Sequence, residues 1–296
     1  MAFKNPPEIT AAAAANGAKK AYLSPDKALV GAFLAGAYIA FGGMVAIAVS
    51  SGLDPKTWGT LPTLFTGSVF ALGLVLVVIA GSELLTGNMA LVPLAVFTRR
   101  ASLPRMLGNF AIVLVGNLLG ALFVAYFLGV KSGVLTAPLP LERLTAIATG
   151  KAVTETEWQI FLRAVGCNWL VCLAVWMALS AEDVAGKVLA IFFPIMAFVA
   201  LGFDHVVANM FFLPAAIFAH VPGISWWDAI HNWIFAFLGN FVGAALFVAG
   251  AYWYLYARDA DLDSAGGVPT APRAATGANG RFRHETSDPA GTAPSA

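Results

Sequence analysis

Gly81-Ser82-Glu83-Leu84-Leu85-Thr86-Gly87-Asn88 and Gly202-Phe203-Asp204-His205-Val206-Val207-Ala208-Asn209 are two short polar stretches, each set in the middle of a long apolar run. A helix crosses a bilayer with about 20 apolar residues. The runs that hold these stretches, 62–97 and 187–219, have 36 and 33 positions. Each is therefore read as one crossing broken at mid-membrane. Working outward, four more apolar segments, 29–49, 107–129, 161–179 and 233–254, bring the count to six. Composition agrees: 59% of the 296 residues are hydrophobic, 11% are charged, and mean hydropathy is +0.78. A soluble domain of this length would need roughly twice that charged fraction to cover its surface. The expectation is an all-α integral membrane protein surrounded by lipid. A net charge of +1 gives no reason to expect nucleic acid. Cys167 and Cys172 lie within one helical run and are read as packing residues.

The two breaks are copies of each other. Gly81 matches Gly202, Glu83 matches Asp204, Asn88-Met89 matches Asn209-Met210, and Pro93, Ala95 and Phe97 match Pro214, Ala216 and Phe218, always 121 positions apart. Further on, Gly116-Asn117-Leu118-Leu119-Gly120-Ala121 is echoed by Gly239-Asn240-Phe241-Val242-Gly243-Ala244, 123 positions later. Shared Gly or Ala can arise by chance, but not an acid, an Asn and a Pro in register. Each copy holds three spans, so the second enters the bilayer from the opposite side. Two inverted three-helix repeats (about 29–129 and 158–257), with spans 2 and 5 broken, place a shared site at the midplane. Non-helical backbone at that depth must be buried in protein or line a cavity.

Outside the repeats, residues 1–28 form an N-terminal segment. Ser24-Pro25-Asp26 reads as a helix start, and Ile9 to Tyr22 reads either as a short helix on the membrane surface or as a frayed tail. Residues 258–296 are rich in Ala, Gly, Pro, Ser and Thr and read as a disordered tail. Lys19, Lys20, Lys27, Arg99, Arg100, Arg105, Lys187 and Arg258 fall on one side of the spans, against Lys56, Lys131, Arg143, Lys151 and Arg163 on the other. The positive-inside rule then puts both termini in the cytoplasm and the spans in the cell membrane.

Away from the ends of the spans the strongly ionisable residues are Glu83, Asp204 and His205, all in the breaks. Facing lipid, each would be unfavourable by roughly 2.5 to 3.5 kcal/mol, so they face protein or a pathway. Glu83 and Asp204 are read first as caps for the following half-helices. His205 corresponds to Leu84 in the other copy, so the fold does not require it, and it breaks the symmetry where chemistry would occur. The Thr86 hydroxyl can reach across to His205 and set which ring nitrogen carries the proton. The backbone amides of Gly87-Asn88 and Ala208-Asn209 lie where two half-helix N-termini would point inward, which favours an anion. With one histidine in a span there is no metal cluster, and Ser82 has no base at helical spacing. No phosphate loop and no cofactor motif is present, so no enzyme activity is expected.

From about Ser24 to Tyr256 the chain resembles the formate/nitrite transporter family, which includes hydrosulfide channels. The specific stretches are the two breaks, the latter extended through Met210-Phe211, and Asn168-Trp169-Leu170-Val171-Cys172-Leu173-Ala174-Val175-Trp176. The resemblance implies an aquaporin-like six-span bundle assembled as a homopentamer, with one pore per protomer. It implies that Thr86 and His205 are the central gating and selectivity pair. Phe70, Leu84, Leu85 and Phe198 then match apolar constrictions, Asn168 and Asn240 match pore-facing amides, and Lys151 matches an anion-attracting vestibule lysine. Two departures stand out. Lys151 lies one residue further from Asn168 than the family pattern, and Asp204 stands where the family commonly has Glu.

A small anion cannot enter an apolar ring in charged form unless something replaces its hydration shell. Either His205 assists passage as the neutral acid, or a protonated His205 offsets the charge. The first route is favoured, with formate ahead of nitrite. The rivals are a hydrosulfide channel and an aquaporin-like water or neutral-solute channel. The latter is weakened because Asn88-Met89-Ala90 and Asn209-Met210-Phe211 lack the prolines of paired Asn-Pro-Ala turns, and no arginine follows the second. A membrane enzyme built on Asp204 and His205 would need a facing nucleophile.

Overall fold

The structure is a computed structural model and describes residues 3–259. The expected tail from 258 onward lies almost wholly outside the described residues. The described chain is helical, its one β-contact an isolated bridge between Phe3 and Ala181. In order the helices are α1 (Pro6–Ala21), α2 (Pro25–Ser50), the four-residue α3 (Pro55–Trp58), α4 (Leu61–Ala80), α5 (Leu85–Phe97), α6 (Leu103–Phe123), α7 (Pro138–Thr149), α8 (Glu157–Ser180), α9 (Val184–Ala200), α10 (Val206–Phe218), α11 (Trp226–Ala244) and α12 (Ala251–Tyr256). The stretches Val124–Lys131, Gly150–Thr154 and Ala245–Gly250 run on with π-type winding. Five helical stretches are long and apolar enough to cross a membrane: 25–50, 61–80, 103–131, 157–180 and 226–256. The expected fifth span, 187–219, is interrupted, as its sequence indicates, into two shorter apolar helices, α9 and α10.

The repeat is visible in the packing. α2 packs on α4 and α6, and α8 packs in the same way on α9 and α11. Glycine permits the close approach. A Cβ on Gly120 would lie 1.9 Å from the Phe33 carbonyl oxygen, and one on Gly243 would lie 2.3 Å from that of Val165. In both cases helix backbones touch along a small-xxx-small face.

The breaks follow from local chemistry. Gly81 and Gly202 take φ +81° and +70°, left-handed values open to glycine, and so end α4 and α9. Three residues of extended or irregular chain follow before α5 and α10 begin. Both of these half-helices are almost entirely buried, and both carry an internal proline, Pro93 and Pro214.

The N-terminal segment is an ordered, packed helix and not a frayed end. α1 starts with an Asn5–Glu8 capping box and buries Ile9, Ala13, Ala14 and Gly17 against its neighbours. It packs on α5 and α8, so closely that a Cβ on Gly17 would meet the Leu91 carbonyl oxygen at 1.8 Å. Its small side chains give it an interior place that its alanine run alone did not reveal.

Candidate functional site

α5 and α10 begin at the two breaks, and the site is built where they meet. One asparagine from a neighbouring helix holds each break. Asn117 on α6 accepts the Leu85 N–H at 2.9 Å, and its amide donates to the carbonyls of Ala32 and Glu83 at 2.8 and 2.9 Å. Asn240 on α11 accepts the Val206 N–H at 2.8 Å and donates to the carbonyls of Ala164 and Asp204 at 2.8 and 2.9 Å. Each asparagine thus satisfies the first free N–H of a half-helix and one carbonyl of the break, groups that would otherwise be orphaned in the interior, and ties them to a carbonyl of the neighbouring helix α2 or α8.

The acids therefore do not cap the half-helices, contrary to their first reading. Glu83 accepts from Lys20 Nζ at 2.8 Å and from Asn88 Nδ2 at 3.0 Å. Asp204 accepts from Lys151 Nζ at 2.7 Å and from Asn209 Nδ2 at 2.8 Å. Asn109 and Asn232 complete the two networks. Asn88 and Asn209 donate to their side-chain oxygens, while they donate to the carbonyls of Lys20 and Lys151. The sequence reading passed over Lys20 as a site residue and over both of these asparagines. The signal was present, because Asn109 and Asn232 stand 123 positions apart, the offset of the Gly-Asn pairs. The repeated unit thus extends back to α1 and to the stretch after α7, each delivering one lysine to a break.

Symmetry fails at position 205. Thr86 Oγ1 lies 2.8 Å from His205 Nε2, with Thr86 fully buried and His205 2% exposed. His205 Nδ1 accepts the Ala208 N–H at 3.1 Å, capping α10. A nitrogen that accepts carries a lone pair, so in the neutral ring the single proton sits on Nε2 and is donated to Thr86. The Thr86 hydroxyl proton is then left for another acceptor. Leu84, the matching residue, makes no capping bond.

Two cavities approach this pair from opposite faces. One, of about 390 Å³, opens on the face that carries α1 and has Lys19, Lys20, Glu83, Leu84, Gly87 and Lys187 in its wall. The other, of about 240 Å³, opens on the opposite face and has Phe70, Arg143, Lys151, Glu155, Phe198 and His205 in its wall. Of the residues expected to constrict a passage, Leu84 floors the first cavity, while Phe70 and Phe198 meet edge to face at 5.9 Å in the second. Leu85 is fully buried and lines neither. Asn168 and Asn240, read as pore-facing amides, also line neither. Asn168 donates to the carbonyls of Thr86 and Asn240 at 3.2 and 2.8 Å, so both amides act as internal struts.

Glu155, which the sequence reading did not single out, joins the second cavity. It is ion-paired with Arg163, its second oxygen is buried without a hydrogen-bond partner, and Asp204 lies within hydrogen-bonding reach. Burial, and then the neighbouring Asp204 carboxyl, raise its pKa to about 7 against the pull of Lys151 and Arg163.

Two cavities with charged residues in their walls, and the buried Thr86–His205 pair beside them, fit an integral membrane channel or transporter of the aquaporin-like class. The model of the family described as "Formate/nitrite transporter" matches residues 7–254, and the chain belongs to that family. It is 50% identical over 256 residues to the Bacillus subtilis (strain 168) transporter YrhG, covering 86% of this chain and 95% of that one. It is 41% identical over 258 residues to the formate channel BtFdhC of Bacillus thuringiensis, covering 87% and 98%. Among solved structures it is similar to an FNT family ion channel, with TM-score 0.78, 33% identity and 83% and 98% coverage. It is also similar to a pentameric formate channel with formate bound, with TM-score 0.68, 30% identity and 78% and 97% coverage.

Proposed function

We propose that the protein passes small monovalent anions of weak acids across the cell membrane, formate first and nitrite next, with passage dependent on pH. The observation that carries this reading is the 2.8 Å contact between Thr86 and His205, a buried polar pair whose histidine lines one of two cavities with charged walls. We assign the termini to the cytoplasm from the eight-to-five distribution of Lys and Arg. The assembly is a homopentamer with one pathway per protomer, a reading supported by the likeness to a pentameric formate channel.

The mechanism follows from desolvation. An anion attracted into either cavity loses hydration as it nears Leu84, Phe70 and Phe198, and loss of water favours its protonated form. The proton comes from the bulk solution, as a hydronium ion that enters the cavity with the anion and leaves a water behind, because a neutral imidazole with its only proton on Nε2 is not an acid at ordinary pH. The neutral acid then crosses the neck between the cavities. Thr86, fixed by the His205 Nε2–H, turns its own hydroxyl proton toward an oxygen of the permeant. His205 thus acts by holding Thr86 as a donor and by keeping the neck free of net charge.

The test is flux into proteoliposomes of the purified protein, with formate and nitrite compared at neutral and mildly acidic pH, water permeation as control and His205→Ala alongside. The expected result is saturable flux that rises as pH falls and changes character in the variant. Anion conductance that is independent of pH would refute passage as the acid. Fast water flux without anion flux would favour the aquaporin-like alternative.

A further inference from the structure

The charges in the 240 Å³ cavity are unequally matched. Lys151 has Asp204 at 2.7 Å, and Arg163 has Glu155. Arg143, on α7, has no carboxylate within ion-pair distance among the described residues. Its guanidinium is held by neutral groups: Nε donates to Ser50 Oγ at 3.0 Å and Nη2 donates to Thr66 Oγ1 at 3.3 Å. Both hydroxyls already give their own protons to backbone carbonyls, Ser50 to Ala46 at 2.7 Å and Thr66 to Pro62 at 2.6 Å. They can therefore only accept, which orients the guanidinium without cancelling its charge.

The donor inventory decides what such a group can take. A guanidinium has five N–H bonds. The two hydroxyls use one on Nε and one on Nη2. The remaining three, two on Nη1 and one on Nη2, include an adjacent pair at the free end of the fork. That pair matches two oxygens of one planar anion, a geometry that an ammonium or a single-atom anion does not reproduce. Arg143 lines the cavity whose floor holds His205, Phe70 and Phe198.

We propose that Arg143 is an anion-capture site in this cavity, selective for planar two-oxygen monovalent anions of the carboxylate or nitrite kind. Lys151, whose charge is matched by Asp204, serves mainly to hold the second break. The inference deepens the anion-passage reading and rests on it.

The experiment measures half-saturating concentration and maximal flux for formate and for hydrosulfide in proteoliposomes of wild type, Arg143→Gln and Arg143→Lys. Assembly is checked by elution volume and melting temperature. Removing the charge in Arg143→Gln raises the half-saturating concentration of both anions by about tenfold, the lower end of what focused charge in a cleft provides. Arg143→Lys keeps the charge but loses the fork, so it raises the formate value severalfold and leaves that of hydrosulfide within twofold. If the glutamine variant fails to assemble, the lysine variant carries the test. Wild type that passes no anion refutes the functional reading itself. Wild type that passes formate, with half-saturation unchanged in both variants, overturns the Arg143 site alone. An equal rise for both anions in Arg143→Lys overturns two-oxygen recognition.

Discussion

Replacing Lys151 by Met tests how the two breaks are held. In the native chain Lys151 Nζ lies 2.7 Å from Asp204 Oδ1, and the Asp204 side chain is fully buried. Its second oxygen has no hydrogen-bond partner among the described residues. Lys151→Met leaves that carboxylate with Asn209 Nδ2 as its remaining donor, and an unpaired buried charge of this kind destabilises by about 3 to 5 kcal/mol. For a domain of this size that corresponds to a fall in melting temperature on the order of 10 °C. The other repeat supplies the control. Lys20 and Glu83 make a 2.8 Å pair of the same design, but with 20% and 13% of their side chains exposed in the mouth of the larger cavity. Water there compensates for the loss, so Lys20→Met should destabilise by only about 1 kcal/mol, a few degrees. Asp204→Asn added to Lys151→Met removes the stranded charge and should recover most of the loss. The assay is melting of the assembled protein in detergent at one fixed scan rate, at pH 8, where Glu155 is ionised and has no proton to share with Asp204. Equal effects of the two lysine variants, or no recovery in the double variant, would refute the reasoning.

Four other outcomes are expected. Glu155 is protonated more readily in the folded chain, at about 7 against 4.5, so stability falls as pH rises from about 4.5 to 7 and then levels. Glu155→Gln should flatten that slope, by at most about 3 kcal/mol, in melts run across the window. The same titration adds one negative charge to the smaller cavity as pH rises through about 7, beside Lys151, Asp204, Arg163 and Arg143. Formate uptake by wild type should therefore decline more steeply over pH 6 to 8 than uptake by Glu155→Gln, and parallel profiles would count against it. Thr86→Val keeps the shape of the neck but leaves the His205 Nε2–H unpartnered, which should cut maximal formate flux at least tenfold while the protein still assembles. Gly120→Ala forces a Cβ to within 1.9 Å of the Phe33 carbonyl oxygen and should abolish assembly in an elution assay, whereas Gly108→Ala, with nothing within 4 Å of the added atom, should be silent.

Much of the architecture was legible in the order of residues because the bilayer is a demanding solvent. Apolar length, the acid-Asn-Pro register at 121 positions and the glycines at 81 and 202 define broken spans and a duplicated design without reference to any distant contact. The pairing of Thr86 with His205 was also within reach, since the two stand in corresponding breaks and each is a polar residue matched by an apolar one, Val207 and Leu84, in the other copy. What could not be read was how the polar groups would be satisfied. Glu83 and Asp204 read as caps because an acid before a helix often caps it; the structure gives that task to Asn117, Asn240 and the His205 ring, and sends the acids to Lys20 and Lys151. Those partners come from helices remote in sequence, and local spacing carries no information about them.

Arg143 and Glu155 show the same limit from the functional side. In sequence they are two charges in a connecting segment, indistinguishable from solvated surface residues. Only the packing of α7 against the ends of α2 and α4, and the proximity of Glu155 to Arg163 and Asp204, decide that one is a cation held by hydroxyls and the other a buried carboxyl titrating near neutrality. By itself the sequence determined a membrane bundle built from two copies of one broken-span design. Tertiary structure decided which charges are cancelled, because cancellation depends on distances of a few ångströms between helices that the chain order does not set.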